Sequence, residues 1–456
     1  MKKNIILSGD SYKHGNFDQF PPGVEYTYSY IKSQGGEWDK TLFFGLQGFI
    51  KEYLTDPITK EQVDDAEFIV KSHGQTFDRS IWDHIVNYQQ GCLPVRIRAL
   101  PEGTVIPTNN VLVSIENTDP KCFWLTDFLE TAILRAVWYP TTVATNSYET
   151  KKVILSALEK TGDPSRIDSK LHDFGACGSS SFETAGIGGA AHLVSFVATD
   201  NISGALYARE FYHAPMAGFS LPTAAIPTII SWGKDNEFES YRNIIQKHSY
   251  LKSTIAISID SYDVYAACEK LSEELKDNII KAECDLILRI GSGDPVEVIS
   301  KCLTILEQHF GSTRNKKGYR VLNRVKLMYG DGIDRETIKN VLKALELQKF
   351  SADNIYFSQG GILLQNVSRH TLKFVSRLSA LGIRDANGVF DWHDVVRKSN
   401  DGYTGRMTLY KKPDGSYYSR REEWVDDVDG LHTVFEDGQL KNEITFDQIR
   451  INSKSI

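Results

Sequence analysis

Three glycine-containing loops in this 456-residue chain have the composition of anion-binding turns. They read GSGDP at 291–295, YGDGID at 329–334 and SQGG at 358–361, and Arg369 and Arg377 follow the last of them. Backbone N–H groups at the start of a helix, beside glycines that allow close approach, bind phosphate groups well. Each loop alone is typical of an ordinary turn, but three loops on one face of a fold indicate a phosphorylated ligand.

Four aspartates lie at or just after predicted strands: Asp200, Asp260, Asp294 and Asp331. Aspartate is a favoured N-terminal cap of helices, and we expect about half of these four to act only as caps. The others could bind ribose hydroxyls, an amide group, or a magnesium ion through its water shell. Phe174 also ends a predicted strand, before the small residues GACGSSS, and it is either a core residue or a platform for a flat ligand. The small residues themselves predict a tight turn or a close approach to the backbone.

A repeated alternation of strand and helix from about residue 170 to 365 would bring these residues together. Six or so β-rich runs each lead into a loop and then a helical period: KLHDF, VSFVATD, TIAISI, DLILR, RVKLM and NIYFS. This alternation predicts parallel strands with right-handed crossovers, and the number of units favours an irregular (β/α) barrel in an α/β protein. In such barrels the loops after the strands gather at one end, where active sites lie.

The flanking segments have a different pattern. Residues 1–150 mix helical stretches with short β runs such as CLPVRIRAL and VLVSI, while GRMTLYKK and GSYYSR near the C-terminus are typical of hairpin strands. We therefore predict two domains. Residues 1–150 and 370–456 together form a mixed α+β lobe, and residues 151–369 form the α/β barrel domain that carries the active-site loops.

Composition argues against several classes of function. Hydrophobic residues make up 41% and charged residues 24% of the chain, as in globular proteins, and the net charge of −7 argues against a nucleic-acid surface. The N-terminal apolar run is too short for a signal peptide and no segment is long enough to span a membrane, so we expect a cytoplasmic protein without a membrane partner. The six cysteines form no C-x-x-C pair, and no G-x-S-x-G, H-E-x-x-H or P-loop motif is present.

Taken in order, short motifs along nearly the whole chain resemble the nicotinamide phosphoribosyltransferase family. The motifs are DSYK at 10–13, LHDFG at 171–175, ETAGIGGAAHL at 183–193, TD at 199–200, WGKD at 232–235, DSYD at 260–263, SGDP at 292–295, GDG at 330–332, GG at 360–361 and LHTVFEDG at 431–438. The resemblance implies a type II phosphoribosyltransferase fold, in which a barrel is joined to a mixed β lobe. It also implies an obligate homodimer with active sites shared between the two subunits.

The same resemblance implies roles for individual residues. Nicotinamide would be held between Phe174 and the partner subunit's Tyr12, with its carboxamide at Asp200. Other residues implied near the ring are Ser220, Asp10 and Cys177. The implied catalytic residues are Arg289 and Asp331. Those implied to bind ribose and phosphate are Gly330, Asp331, Gly360, Gly361, Asp260, Asp294 and, from the partner subunit, Arg369 and Arg377.

The implied reaction displaces pyrophosphate from the anomeric carbon of a ribose donor by attack of the pyridine nitrogen of nicotinamide. The simplest donor is 5-phosphoribosyl pyrophosphate, which gives nicotinamide mononucleotide. The transition state resembles a ribosyl cation, so the site must hold leaving-group charge and exclude water. Mg²⁺ on the pyrophosphate is the expected Lewis acid, and the sequence does not indicate which residues would ligate it.

Several positions depart from the family's pattern. The family's phospho-acceptor histidine lies in a segment resembling P-x-A-E-H-S, which reads PTAAIP at 222–227 here, so we expect no ATP-driven autophosphorylation. Cys177 stands in place of an arginine, Gly291 in place of an aspartate and Val375 in place of a serine. Asp391 lies near where a lysine is expected. These changes make the pocket less positive, which would weaken binding of a bare 5′-phosphate dianion.

Three functions stay open at this point. The first is nicotinamide mononucleotide synthesis from 5-phosphoribosyl pyrophosphate without ATP coupling. The second uses ADP-ribose with a 1″-pyrophosphate and makes NAD in one step, as in the phage-encoded nicotinamide ADP-ribosyltransferases. The third is a non-catalytic paralogue that binds nicotinamide or a nucleotide. A nicotinate-specific enzyme is a fourth alternative, which Asp200 argues against because the carboxylate of nicotinate has the same charge.

Overall fold

The computed structural model describes residues 3–248, 254–281, 285–330, 332–396, 403–422 and 427–454. Its helices are α1 Leu46–Tyr53, α2 Lys60–Ser72, α3 Arg79–Tyr88, α4 Leu125–Phe128, α5 Glu130–Thr161, α6 Phe182–Leu193, α7 Ile202–Tyr212, α8 Ile226–Ile230, α9 Glu237–His248, α10 Val264–Glu274, α11 Lys276–Lys281, α12 Pro295–Phe310, α13 Arg335–Leu347, α14 Gly361–Gln365 and α15 Phe446–Lys454. None of the described helices is both long and apolar enough to cross a membrane.

The strands are short and fall into several sheets. They are β1 Val24–Ser33, β2 Lys40–Leu42, β3 Val95–Ala99, β4 Val105–Pro107, β5 Val111–Asn117, β6 Leu171–Asp173, β7 Thr223–Ala224, β8 Ile255–Ser258, β9 Leu286–Ile290, β10 Ser312–Arg314, β11 Arg320–Leu322, β12 Val325–Tyr329, β13 Ile355–Gln359, β14 Phe374–Arg384, β15 Phe390–Asp394, β16 Met407–Lys411, β17 Tyr417–Arg421, β18 Val428–Asp429, β19 His432–Glu436 and β20 Gln439–Leu440. The chain divides into two compact units. Unit 1 contains residues 1–145, 207–215 and 367–456, and unit 2 contains residues 146–206 and 216–366.

Unit 2 is built around a curled parallel sheet with the strand order β6-β13-β12-β9-β8-β7. Single-residue parallel bridges, Asp173 to Thr199 and Ala198 to Phe219, continue the sheet beyond β6. Strands β8 and β12 are buried at every position. Continuous burial is typical of parallel strands that are covered on both faces. The predicted α/β barrel is confirmed, with its strands close to where the apolar runs were read.

Aspartate caps fix the start of the helices that follow the barrel strands. Asp294, one of the four aspartates considered as caps, accepts a hydrogen bond from the Glu297 N–H at 2.9 Å, with Pro295 as the first residue of α12. Asp263 caps α10 and Asp334 caps α13 in the same way. A capped first turn satisfies backbone N–H groups that have no partner within the helix. The caps therefore hold the loops after β8, β9 and β12 in place at one end of the sheet.

One predicted strand, VSFVATD, is confirmed only at its C-terminal end, where Ala198 and Thr199 pair with the barrel sheet. Helix α6 ends just before Val194, whose N–H donates to the Ala191 carbonyl at 3.4 Å in the turn that follows the helix. Only two residues of this run make single β-bridges. The ring of Phe196 stacks on His192 of α6, with 5.1 Å between ring centroids. The apolar residues that resemble a strand thus pack against the end of the helix.

Unit 1 contains a seven-stranded sheet with the order β15-β14-β1-β5-β3-β19-β20. Each neighbouring pair is antiparallel, and three strands from the start of the chain, β1, β5 and β3, lie between two pairs of strands from its end, β14 with β15 and β19 with β20. An aromatic cluster lies in its core, where Trp82 packs edge-on against Trp124 and Phe128 at centroid distances of 4.8 and 5.1 Å. The predicted mixed α+β lobe, formed by the N- and C-terminal segments, is confirmed.

Candidate active site at the barrel mouth

Phe174 provides an aromatic face at the carboxyl end of β6. Its N–H donates to the Gln359 carbonyl at 2.9 Å, which fixes it beside the end of β13. The half-buried ring packs on the barrel-interior residues Ala256, Ile287 and Met328. The Arg289 guanidinium lies over the ring, with Cζ 4.3 Å from the ring centroid. A planar cation over an aromatic face is attractive, so Arg289 and the barrel interior together hold this ring.

Asp200 carries an acceptor oxygen that has no partner among the described residues. Its Oδ1 accepts a hydrogen bond from the Ser220 hydroxyl at 2.6 Å, while its Oδ2 is buried and unpaired. The His172 Nδ1, also buried and unpaired, lies 4.0 Å from that oxygen. Burial raises the pKa of Asp200, although the Ser220 hydroxyl and the Arg289 charge oppose the shift. A buried, unpaired acceptor is costly unless a ligand or water supplies the donor.

Asp173 is a residue that the sequence reading missed. It is fully buried and accepts hydrogen bonds from the Gly175 N–H at 2.7 Å and the Asn201 side-chain amide at 3.0 Å. Burial raises its pKa to about 6. Its carbonyl also accepts from the Asp200 N–H at 2.9 Å. Asp173 therefore ties the segment after β6 to the segment that carries Asp200. Its position in LHDFG is the only signal that could have pointed to it.

The small residues after Phe174 serve a close contact between two loops. A Cβ added at Gly178 would lie 2.5 Å from the Gly361 Cα, which is shorter than any real contact. A Cβ at Gly175 would lie 2.7 Å from the Leu364 side chain. Glycine is required where backbones approach so closely. Helix α14 packs on the short 3₁₀ turn Gly175–Gly178. The close approach predicted from the small residues is therefore a contact between two parts of this chain.

Asp260 holds the glycine-rich loop that follows β9. Its Oδ2 accepts hydrogen bonds from the Gly291 N–H at 2.8 Å and the Ser292 hydroxyl at 3.0 Å. Its other oxygen, Oδ1, has no hydrogen bond within the described part of the chain. Carboxylate oxygens are suitable ligands for Mg²⁺, either directly or through water. Asp260 could therefore hold a hard cation beside this loop.

The remaining predicted ribose and phosphate residues of unit 2 differ in what they do. Asp294 is occupied as the cap of α12. Gly330 directly follows β12, and a Cβ there would lie 2.0 Å from the Ser358 hydroxyl oxygen, so a larger residue would require Ser358 to move. Gly360 and Gly361 form the turn that begins α14. The predicted Asp331 lies outside the described residues.

Four predicted site residues belong to unit 1. Tyr12 lies on a 3₁₀ turn, Ser11–Gly15, and 55% of its surface is exposed. Asp10, just before that turn, accepts a hydrogen bond from the Thr131 hydroxyl at 2.7 Å. Arg369 donates to the Phe374 carbonyl at 2.8 Å, and Arg377 lies on β14 opposite Tyr30.

Two positions where the chain departs from the family's pattern are exposed. Cys177 is exposed, with its Sγ 3.9 Å from the Phe174 carbonyl. Ile226, at the start of α8, is 39% exposed, and Ile230 and Trp232 nearby are exposed by 46% and 43%. We call these three residues the apolar surface of Ile226, Ile230 and Trp232. The segment that carries them follows β7, so it lies at the end of the sheet where the other site loops lie.

Within the described ranges, one group of three potential metal-ligating side chains lies close enough to share an ion, and it consists of His84, Asp119 and Cys122 of unit 1. Its members have other partners. The His84 imidazole and the Gln89 amide bond to Asp119, and burial raises the pKa of the Cys122 thiol to about 12. A protonated thiol is a poor metal ligand, and the group is separate from the residues described above.

Comparisons with known proteins agree with this architecture. Residues 169–438 match the nicotinate phosphoribosyltransferase family, and residues 4–97 match the nicotinamide phosphoribosyltransferase N-terminal domain. A nicotinamide phosphoribosyltransferase of Xanthomonas campestris pv. campestris (strain 8004) is 42% identical, over 99% of this chain and 98% of that protein.

Two solved structures share the fold at low identity. The nicotinate-nucleotide pyrophosphorylase of Pyrococcus furiosus is 14% identical with a TM-score of 0.64, over 99% of this chain and 95% of that one. The human nicotinic acid phosphoribosyltransferase is 14% identical with a TM-score of 0.58, over 98% and 93% of the two chains. These two likenesses bear on the fold alone. Because the match to the Xanthomonas protein extends over the whole length of both proteins, this chain belongs to the nicotinamide phosphoribosyltransferase family.

Proposed function

We propose that this protein joins nicotinamide to the anomeric carbon of a pyrophosphorylated ribose and releases pyrophosphate. It would act as a pentosyltransferase in NAD salvage. The observation that carries the proposal is the unpaired Oδ2 of Asp200 at the same barrel end as the Phe174 ring. A nicotinamide ring stacked on Phe174 would supply an amide N–H to the Asp200 oxygen that lacks a donor.

The choice of nicotinamide over nicotinate follows from charge. An ionised Asp200 accepts a hydrogen bond from an amide N–H and repels a carboxylate. The Ser220 hydroxyl donates to Asp200, so it stabilises the ionised form. Cys177 is neutral where the family has an arginine, so it offers no cation to a carboxylate.

Arg289 is the residue best placed to stabilise charge during the transfer. As the bond from the anomeric carbon to pyrophosphate breaks, negative charge grows on the leaving oxygens and positive charge on the ribose. The Arg289 guanidinium lies over the Phe174 ring and, in this proposal, would donate hydrogen bonds to the leaving group. Asp260 is the described carboxylate that we expect to hold Mg²⁺. Bound to the pyrophosphate, Mg²⁺ would neutralise part of the negative charge of the leaving group.

The donor we favour is 5-phosphoribosyl pyrophosphate. A second donor, ADP-ribose 1″-pyrophosphate, is favoured by the exposed apolar surface of Ile226, Ile230 and Trp232, since a nucleobase could stack there. The two donors give products that differ in mass. Purified protein, Mg²⁺ and nicotinamide are incubated with each donor in the absence of ATP. Nicotinamide mononucleotide from the first donor supports the proposal. NAD from the second alone supports the alternative, and nicotinamide binding without any product indicates a non-catalytic paralogue.

We also propose a homodimer in which Tyr12 of the partner subunit covers the ring on Phe174. A mixture of Tyr12→Ala and Phe174→Ala proteins, after subunit exchange, should then recover activity that neither has alone. Half of the dimers would be mixed and each would hold one intact site, so roughly a quarter of wild-type activity is expected. The recovered rate is measured against each variant separately. An unchanged rate despite confirmed subunit exchange would contradict the shared site.

Nicotinamide affinity should fall as the pH is lowered. Only the ionised form of Asp200 leaves Oδ2 as an acceptor, and its pKa is raised by burial. Protonation therefore begins at a higher pH than for a free aspartate, whose pKa is about 3.9. The dissociation constant of nicotinamide, measured between about pH 8 and pH 5, should rise as the pH falls. Asp200→Asn should bind more weakly and show a flatter profile.

Burial raises the pKa of the neighbouring Asp173 to about 6, so its titration also requires a control variant. Asp173→Asn introduces a side chain of the same size that is neutral at every pH. If Asp200 is responsible for the loss of nicotinamide affinity at low pH, that loss should persist in this variant. A wild-type affinity that is constant from pH 8 to pH 5, or that improves on acidification, would contradict the role given to Asp200.

The cysteines are consistent with a cytoplasmic location, which we propose on this basis. The five cysteines in the described part of the chain are all free. Free thiols are the usual state in reducing compartments.

A further inference from the structure

Lys13 is buried between two carboxylates at the base of the turn that carries Tyr12. It is 6% exposed. Its ammonium lies 2.7 Å from Asp127 Oδ1 and 2.7 Å from Glu130 Oε2. Burial alone would lower the pKa of Lys13, but hydrogen bonds to the two carboxylates outweigh it and the pKa is raised. Lys13 therefore stays charged across the physiological range.

Two more hydrogen bonds attach the residues that flank the same turn, one to α4 and one to the start of α5. On its C-terminal side, the Asn16 amide donates to Asp127 Oδ2 at 2.7 Å. On its N-terminal side, Asp10 accepts from the Thr131 hydroxyl at 2.7 Å. The turn Ser11–Gly15 is thus held at both ends and in its middle.

The Tyr12 side chain makes no anchoring hydrogen bond of this kind to any described residue. Its ring is 55% exposed and has the Lys13 ammonium 5.5 Å from its centroid. Tyr12 is exposed, whereas Lys13, the next residue, is held by Asp127 and Glu130. The position of Lys13 therefore restricts where the Tyr12 ring points. A cation at this distance from an aromatic face also restrains the ring.

Fold stability alone does not account for a buried ion cluster. Taking an ammonium and a carboxylate out of water is costly, and apolar residues of similar volume often stabilise a protein as well or better. What a charged cluster adds is a single defined geometry, because its hydrogen bonds are directional.

We propose that Lys13 is a positioning residue that acts through Tyr12. Together with Asp127 and Glu130, it holds the aromatic ring at the angle and height needed to close over a ring stacked on the Phe174 of the partner subunit. This inference rests on the proposed function, since it requires that Tyr12 lines the nicotinamide site of the partner subunit. It assigns to Lys13 no contact with either substrate.

Lys13→Met tests this role in the full-length protein. The KM for nicotinamide should rise by roughly tenfold, because small displacements of a positioning group have large effects on binding geometry. The KM for the ribose donor should change by less than about twofold. Lys13→Arg, which keeps the charge and can bond both carboxylates, should restore most of the affinity. Arg96→Met is the matched control, since Arg96 also bridges two carboxylates of unit 1, Glu116 and Glu436.

A double-mutant cycle with Tyr12→Ala decides whether Lys13 acts through the ring. If it does, adding Lys13→Met to Tyr12→Ala should not raise the KM for nicotinamide any further. An equal rise in both backgrounds, or no rise in either, overturns the inference. Should Lys13→Met fail to fold, Asp127→Asn takes its place in the same cycle. A normal KM for Tyr12→Ala alone would instead contradict the proposed site, so the two failures are distinguishable.

Discussion

Replacing Arg289 with glutamine is expected to lower kcat for nucleotide formation by roughly 10²- to 10³-fold, which is the range for removing one preorganised charge-stabilising group. Arg289 lies on β9 with its guanidinium over the Phe174 ring. Glutamine keeps a donor at this place but has no charge to balance that of the leaving pyrophosphate. A smaller rise in the KM for nicotinamide should accompany the loss, because the Arg289 charge also lowers the pKa of Asp200 and its removal favours the protonated acid.

Two further variants serve for comparison with Arg289→Gln: Arg289→Lys is the conservative substitution and Arg314→Gln is the control. The lysine variant keeps the charge but not the planar fork, so it should retain part of the rate. Arg314 is an exposed residue of the β10–β11 hairpin that bonds only the Gly318 carbonyl among the described residues, and its loss should leave kcat unchanged. Steady-state kinetics with both substrates varied provides these values. A normal kcat for Arg289→Gln with only KM raised would show that Arg289 binds substrate without stabilising the transition state.

Phe174→Ala should weaken nicotinamide binding by about 1–3 kcal/mol, as for the loss of an aromatic platform under a nucleobase. This corresponds to a rise of about 5- to 150-fold in the dissociation constant. The ring also lies against the barrel interior, so the variant leaves a space beside Ala256, Ile287 and Met328. Isothermal titration or ligand-observed NMR measures the dissociation constant directly, without dependence on turnover.

Two further variants separate stacking from simple filling of space. Phe174→Leu keeps most of the apolar volume but has no aromatic face, so its affinity should stay low. Phe174→Tyr keeps the face and should bind nearly as well as the wild type. Unchanged nicotinamide affinity in both Phe174→Ala and Asp200→Asn would refute the assignment of the ring site.

The barrel was predictable because its signals are local. Each strand is a short apolar run, and Asp294 with Pro295 is a helix start that can be read from two adjacent residues. The first part of the run VSFVATD is not a strand because β-branched and aromatic residues also pack the end of a buried helix, as Phe196 does against His192. Local propensity cannot distinguish these cases, since tertiary packing decides between them.

The contacts that build the site join distant parts of the sequence and could not be read from it. Ser220 bonds Asp200 across 20 residues, and Gly178 meets Gly361 from loops far apart in the chain. The small residues after Phe174 predict a tight turn or a close approach to the backbone, and only the structure shows that the approaching group is the backbone of Gly361. The placement of Arg289 over Phe174 likewise requires β6 and β9 to be curled into one sheet.

The stoichiometry of a single reaction tests the central claim most directly. Wild-type protein is given Mg²⁺, 5-phosphoribosyl pyrophosphate and either nicotinamide or nicotinate, without ATP, and both pyrophosphate and nucleotide are quantified. We predict one pyrophosphate for each nicotinamide mononucleotide formed, and a far lower kcat/KM with nicotinate. Equal or better use of nicotinate, or pyrophosphate release without nucleotide, would contradict the account of Asp200 and Phe174 as a nicotinamide site.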